Sequence, residues 1–485
     1  MKLPALPTLA LIGLIILKVS SLLAFGPRFE PDSQGYLEYA NLILHDTQWW
    51  SDAGLDRAWL TITTLRPIGY PALIALCQWI AGPLIGLYVV VLVQIAVSVG
   101  AIVMVWRISS TILSSRAMAL IATAGFALSL SCLYDQSILS DSLFNSLFII
   151  IFGLAASRLL HEHTPDIRTV LLAAALLVLA VSIRGITIYV YIFLIPIWLG
   201  WFWAASTPRI RTLMLLTAFV LPMVMFYGVV ETWNYARTGQ AFYVTNLRVP
   251  LQSMFKAAAR GRKVFDGDTT IDKLAHETSE DYSYPTLITL SVHLFSDYGM
   301  KATEAIKLEN ALYFRSWRNH PGAMLENGVN NFHQSIPYNF FDVIDIADEI
   351  VHITTERHLF PGTKAMWNSV RKKGDAFALL MITVTGIGRI GSWFMLALFL
   401  FGVPISVYRA WKSKRAFNPS MRVLLAGWLL FWGYVFTLVL LHWVTRFLPA
   451  VLPWGLIGSL YVVESILRIR FKSDMSLKSI ALAKP

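Results

Sequence analysis

From residue 7 to residue 466 the chain is built from apolar runs, separated by short polar segments and by one long polar stretch, 231–387. A run of roughly 20 apolar residues spans the hydrocarbon core of a bilayer as a helix. In lipid only helices and closed barrels satisfy every backbone polar group internally. The pattern therefore predicts an all-α polytopic membrane protein with about ten transmembrane helices. Spans are expected near 7–25, 83–106, 116–133, 138–159, 168–185, 187–205, 211–230, 388–408, 421–441 and 448–466. Composition agrees, because only 14% of residues are charged and 56% are hydrophobic. A soluble domain carries about a quarter of its residues charged.

The formal net charge of +11 raises nucleic acid as a partner, and the placement of the charge argues against it. Basic residues gather between apolar runs, at Arg209 and Arg211, at Arg409, Lys412, Lys414 and Arg415, and at Arg468, Arg470 and Lys472. That is the positive-inside signature, with attraction to anionic membrane lipids as its second consequence. With ten spans both termini fall on one face, together with 107–116, 158–168, 206–212 and 409–422, and these segments hold the Lys/Arg excess. The N-terminal run lacks a small-residue cleavage site before Gly26-Pro27-Arg28 and reads as a retained first span. Cys77 and Cys132 are too few for a disulfide framework. Two separate buried thiols are expected, with a bridge between them as the alternative.

Four regions follow. Residues 1–230 form an N-terminal transmembrane domain, 231–387 a mainly helical non-cytoplasmic loop domain, 388–470 the C-terminal transmembrane helices and 471–485 a cytoplasmic tail. The first outer loop, 26–68, holds Tyr36, Tyr39, Ala40, Ile43 and Leu44 at helical spacing, which predicts an amphipathic interfacial helix on the membrane surface. The stretch 70–106 is too long for one span and is expected to break at Gly82-Pro83 into a short interfacial helix and a crossing helix. In the long loop, Lys256–Lys263 and Glu304–Arg318 read as helical, and the aromatic density at Trp317, Phe332, Tyr338, Phe340 and Phe341 predicts contact with the bilayer surface.

Polar residues at the outer ends of spans carry the chemical interest, since charge near membrane depth is costly. Asp32, ahead of the first-loop helix and near Tyr36, is placed to act as a general base or simply to cap the helix. Arg66, in Leu65-Arg66-Pro67-Ile68-Gly69-Tyr70-Pro71, is placed to clamp a phosphate or to anchor at lipid headgroups. Asp135 and Asp141 flank an outer turn, where Asp135 reads equally as plain loop. Arg184 and Arg446, with His442 nearby, stand at outer helix ends. Snorkelling explains any one arginine, whereas three on one face beside carboxylates point to an anion site. The chain has no Gly-Lys-Ser/Thr phosphate loop, no nucleophile elbow, no His-Glu-x-x-His and no cysteine metal cluster.

These segments, in this order, resemble the GT-C glycosyltransferases, and most closely their protein O-mannosyltransferase and aminoarabinose-transferase branch. Asp32 to Ala40 resembles that branch's first-loop Asp-x-x-x-Tyr-x-x-x-Ala segment, and Arg66 to Pro71 its Arg/Lys-Pro-Pro-Gly-Tyr-Pro segment. Asp141 to Phe144 is similar to a Ser-Glu-x-Leu-Phe span start, with Asp for Glu. Trp233 to Gly239, His320-Pro321-Gly322 and Thr445 to Pro453 resemble three further segments, the first with its arginine displaced. The resemblance implies a polyprenyl-phosphate sugar donor and a glycan, lipid or protein acceptor. It implies Asp32 as the base and Arg66, Arg184 and Arg446 as ligands of the departing lipid phosphate, at the non-cytoplasmic face of a bacterial inner membrane. Secondary candidates are Asp141, Tyr36, Tyr70, Asp135 and His442. Some relatives use a divalent metal; no ligand cluster in this sequence demands one, and Leu65 replaces an acidic residue often found there. The alternatives are a transporter or flippase of a lipid-linked sugar, which would more commonly show internal repeats, and a polysaccharide polymerase or ligase.

Overall fold

A computed structural model describes residues 6–47, 49–50, 62–129, 131–205, 207–244, 249–267, 269–279, 290, 293–294, 296–339, 362–412, 418–441 and 445–482. Among these the chain is helical, and its only β pairing is an isolated parallel bridge between Arg28 and Ser137. The helices in chain order are α1 Leu6–Phe25, α2 Ser33–His45, α3 Ile62–Leu65, α4 Gly69–Ala81, α5 Pro83–Ile112, α6 Arg116–Ala127, α7 Ser131–Tyr134 and α8 Asp141–Leu160. They continue with α9 Ile167–Ile183, α10 Thr187–Val190, α11 Ile195–Ala204, α12 Arg209–Thr238, α13 Val249–Ala259, α14 Thr270–Ser279, α15 Ala302–Asn319 and α16 Pro321–Asn339. The last are α17 Gly362–Lys373, α18 Ala376–Ala397, α19 Val403–Lys412, α20 Pro419–Leu441 and α21 Leu452–Leu482.

Seven helical segments among the described residues are long and apolar enough to cross a bilayer, where about ten were expected. They are Thr8–Phe25, Pro83–Ile112, Asp141–Leu160, Thr187–Ala204, Arg209–Thr238, Ile390–Lys412 and Pro419–Leu440. Three further apolar helices, α4, α6 and α9, are shorter. Along α12 the large side chains of Ile210, Leu213, Met214, Leu221, Met225 and Val229 are exposed. An apolar stripe of that extent is not tolerated in water. The chain is an integral membrane protein.

Local chemistry sets the breaks between helices. Gly82, at φ +83°, ends α4, and Pro83 opens α5 where its missing N–H costs nothing. A Cβ at Gly86 would lie 2.5 Å from the Gln78 Cα, so glycine lets the α4–α5 hairpin close. The span expected over 116–133 stops at Ala127, because the hydroxyls of Ser129 (2.7 Å) and Ser131 (3.1 Å) both donate to the Phe126 carbonyl and unwind the next turn. α12 runs past the expected end at 230 to Thr238 and stops at Gly239 in a left-handed conformation, φ +71°. α18 starts at Ala376, ahead of the expected 388, where the Asp375 side chain accepts from the Ala378 N–H.

α8 is the hub, packed against α5, α9, α11 and α20, and Trp198, Trp201, Phe148, Phe152 and Tyr434 fill the core around it. At one end of the bundle the basic segments meet. Glu464 accepts from the backbone N–H groups of Ser114 and Ser115, and Arg211 donates to the Pro165 carbonyl at 3.1 Å. At the other end, α13, α15 and α16 build a separate small core from Leu251, Phe255, Phe265, Leu312 and Met324. This subdomain sits on the end of α20, where Tyr313 and Asn331 donate to the carbonyls of Leu440 and Val439. Glu304–Arg318 is helical as expected, whereas the helix expected over Lys256–Lys263 is α13 and ends at Ala259. Phe340 and Phe341, and the Tyr338 side chain, lie outside the described residues.

Candidate functional site

α2 carries the expected stripe, but its buried face of Ser33, Tyr36, Tyr39 and Ala40 packs on α4 and not on lipid. Tyr36 and Tyr39 each bury a large apolar ring there. Asp32 precedes α2 without capping it, since its side chain makes no cap hydrogen bond. The turn is closed by Ser33, whose hydroxyl accepts from the Glu30 N–H at 2.8 Å. The Asp32 carboxylate is instead held by Arg66, with Oδ1 3.0 Å from Nη2.

Arg66 lies between α3 and α4, and its guanidinium stacks over the Tyr36 ring, 4.3 Å from the centroid. Tyr36 meets Tyr70 edge to face at 4.9 Å. The Tyr36 hydroxyl shares a 2.8 Å hydrogen bond with the Ser140 hydroxyl, which also accepts from Arg184 Nη1 at 3.2 Å. Arg184 Nη1 lies 2.5 Å from Asp141 Oδ2, and this pair is nearly closed to solvent. Arg66 and Arg184 thus belong to one cluster bridged by Tyr36 and Ser140, each beside its own carboxylate. Buried Tyr434 on α20 faces the Arg184–Asp141 pair.

Gly69 explains why α4 and α9 can carry these arginines so close together. A Cβ there would sit 2.4 Å from the Ser182 hydroxyl and 2.6 Å from the Ser182 carbonyl oxygen. Gly69→Ala must push α4 off the end of α9. We expect a loss of about 1–3 kcal/mol, read as a lower unfolding temperature of the purified protein. An unchanged unfolding temperature would remove this contact as the reason for glycine.

Beneath the cluster lies a pair that the sequence reading missed. Lys18 of α1 and Asp135 are each about 1% exposed and form an ion pair. Asp135, read as possible plain loop, is therefore a buried anchor. Its carboxylate also accepts from Ser98 (2.7 Å) and Ser142 (2.5 Å). Gln94 donates to the carbonyls of Asp135 (3.1 Å) and Ser137 (2.9 Å) and accepts from the Tyr70 hydroxyl at 2.6 Å. Together with the Arg28–Ser137 bridge, these bonds fix the turn that presents Ser140 and Asp141. A lysine inside an apolar span was the available signal.

The end of α12 closes the other side. Arg237 stacks on Trp233 at 4.3 Å and donates to Asn234, to the Thr63 hydroxyl and to the Thr63 carbonyl, both Thr63 bonds being 3.0 Å. The indole N–H of Trp233 donates to the Trp50 carbonyl at 2.9 Å, so α12 is tied to the first loop ahead of α3 as well as to α3 itself. Between them a small cleft, with room for about one water, is lined by Arg66, Pro67, Phe226, Trp233 and Tyr243.

Arg446 falls in the 3₁₀ turn Thr445–Ala450, which packs on α8 and α16, while its side chain lies outside the described residues, as does His442. His320 serves the loop subdomain. Hydrogen bonds from Asn319 (2.8 Å) and His320 (2.7 Å) hold the Asp266 carboxyl below the usual carboxylate range. Cys77 is a buried free thiol; the Cys132 side chain lies outside the described residues. Among the described residues no group of three or more His, Cys, Asp or Glu side chains is gathered to hold a metal ion. Asp32 and Asp141 each face an arginine, which does not suit a divalent cation. No protein-family model matches the chain, and neither does any curated protein.

Proposed function

We propose that the chain is a GT-C-type glycosyltransferase that moves a sugar from a polyprenyl-phosphate donor to an acceptor hydroxyl, with inversion. In this reading α6, α9 and α21 also cross the membrane, giving ten spans, and the cluster faces the non-cytoplasmic side of a bacterial inner membrane. The observation that carries it is the pairing of two arginines at helix ends with two carboxylates, joined through Tyr36 and Ser140. The acceptor oxygen attacks the anomeric carbon while Asp32 takes its proton. The bond from that carbon to the phosphate oxygen breaks, and the electron pair leaves on the polyprenyl phosphate. Fixed guanidinium groups at Arg66 and Arg184 lower the barrier by stabilising that developing charge.

A transporter of a lipid-linked sugar would also need basic residues facing a lipid phosphate, and the buried Lys18–Asp135 pair is a further feature it could share. Ser98 and Ser142 close it with hydrogen bonds, as suits a structural anchor. Proteoliposomes loaded with radiolabelled polyprenyl-phosphate sugars, given a membrane extract as acceptor pool, separate the two activities. We expect release of polyprenyl phosphate, reduced about tenfold or more by Arg184→Lys, which loses the planar guanidinium. Recovery of intact donor in the opposite leaflet, without cleavage, would replace the enzyme by a transporter.

A further inference from the structure

Gln94 stands inside α5, a helix long and apolar enough to cross the bilayer, and is fully buried. A primary amide in such a place is costly unless its polar groups are satisfied. Gln94 satisfies them with three hydrogen bonds that also fix which way the amide points. Nε2 donates to the Asp135 and Ser137 carbonyls, and Oε1 accepts from the Tyr70 hydroxyl at 2.6 Å. Turned over, the amide would set its oxygen against both carbonyls.

These partners lead to the two arginines by different routes. Tyr70, on α4, meets the Tyr36 ring edge to face, and the Arg66 guanidinium stacks on that ring. Ser137 leads through the turn to Ser140, whose hydroxyl accepts from Arg184. The routes rejoin where Tyr36 and Ser140 share their 2.8 Å hydrogen bond. Gln94, Tyr70, Tyr36 and the turn 137–140 thus form a closed ring of contacts, with one arginine resting on each side of it. Resting on the glycosyltransferase reading, we propose that Gln94 is a positioning residue of the transfer reaction. By closing this ring it holds Arg66 and Arg184 at the spacing that the departing phosphate needs. Gln94 acts through Tyr36 and Ser140, and neither arginine has to change partners. Charge on the departing oxygen develops in the transition state, so an error of spacing falls on kcat more than on the donor's KM.

Gln94→Met keeps the length of the side chain and removes all three bonds. The measurement is release of polyprenyl phosphate from a radiolabelled donor, per folded molecule of the purified full-length protein, with a membrane extract as acceptor pool. We expect kcat to fall about ten- to hundredfold, with the donor's KM within about threefold of native. Tyr70→Phe opens the ring at its next link while both carbonyls stay held. It should lower kcat in the same sense, and it carries the test should Gln94→Met not fold. The double variant should be no slower than Gln94→Met, because a ring already open is not opened further. Native kcat per folded molecule in either single variant, with only the unfolding temperature lowered, makes the amide purely structural. That result overturns the proposal and leaves the glycosyltransferase reading in place. Losses that multiply in the double variant overturn the ring. Absence of release by the native protein removes the reading, and this role with it.

Discussion

Asp32→Asn is expected to insert and fold as the native chain does and to lose about two to four orders of magnitude in transfer rate. The folding half rests on the geometry of α2. Asp32 makes no cap hydrogen bond, and the turn is closed by Ser33, so an amide at position 32 leaves the helix start intact. Its ion pair with Arg66 is partly exposed and asparagine still offers an acceptor oxygen, so the stability lost should stay under about 1 kcal/mol. The catalytic half rests on basicity alone, because asparagine matches aspartate in size and cannot take a proton. Glu38→Gln is the control, since Glu38 lies nearly two turns further along the chain and receives a surface hydrogen bond from Gln34. Release of polyprenyl phosphate by folded Asp32→Asn at near-native rate would end the case for Asp32 as the base.

The largest expected effect on stability lies beneath the site. Lys18→Met should destabilise the protein by about 3–5 kcal/mol, because it strands the Asp135 carboxylate in a buried setting with only hydroxyl donors left. Methionine preserves much of the side-chain volume, so the loss reports charge and not a cavity. The double variant Lys18→Met with Asp135→Asn should recover most of it, since the amide remains within reach of Ser98 and Ser142 without carrying charge. Thermal unfolding in detergent, followed by intrinsic fluorescence, measures both. Equal unfolding temperatures for Lys18→Met and the native chain would mean that the ammonium and carboxylate are not a buried pair.

How much of this was readable beforehand depended on whether the signal was local. The break at Gly82-Pro83 was legible because proline and glycine act on their own neighbours. The helical spacing of Tyr36, Tyr39 and Ala40 was legible too, though not the surface it would cover, since α4 competes with lipid for the same face. Arg66 and Arg184 stood out as charges at the ends of apolar runs, and the structure brings them together through Tyr36 and Ser140. Asp32 read either as a base or as a helix cap, since aspartate at that position commonly caps, and only the fold shows Ser33 closing the turn. Trp233 to Thr238 read as loop because the segment is polar, yet its polar groups are satisfied by Thr63, Phe242 and Tyr243 from elsewhere in the chain. The pairing of Asp135 was hidden for the same reason, Lys18 being remote in sequence.

That remoteness has a consequence for how the protein is made. Lys18 leaves the ribosome 117 residues ahead of the carboxylate that neutralises it. At about 5–20 residues per second, α1 waits roughly 6–23 s with an uncompensated ammonium among apolar residues. On insertion scales such a charge costs about 2.5–3.5 kcal/mol at a helix centre, enough to hold α1 short of a settled position in lipid. The first helix to be synthesised is thus locked only after α5, α6 and α7 have emerged, and its docking onto α5 and α6 marks the moment at which the turn bearing Ser140 and Asp141 becomes rigid.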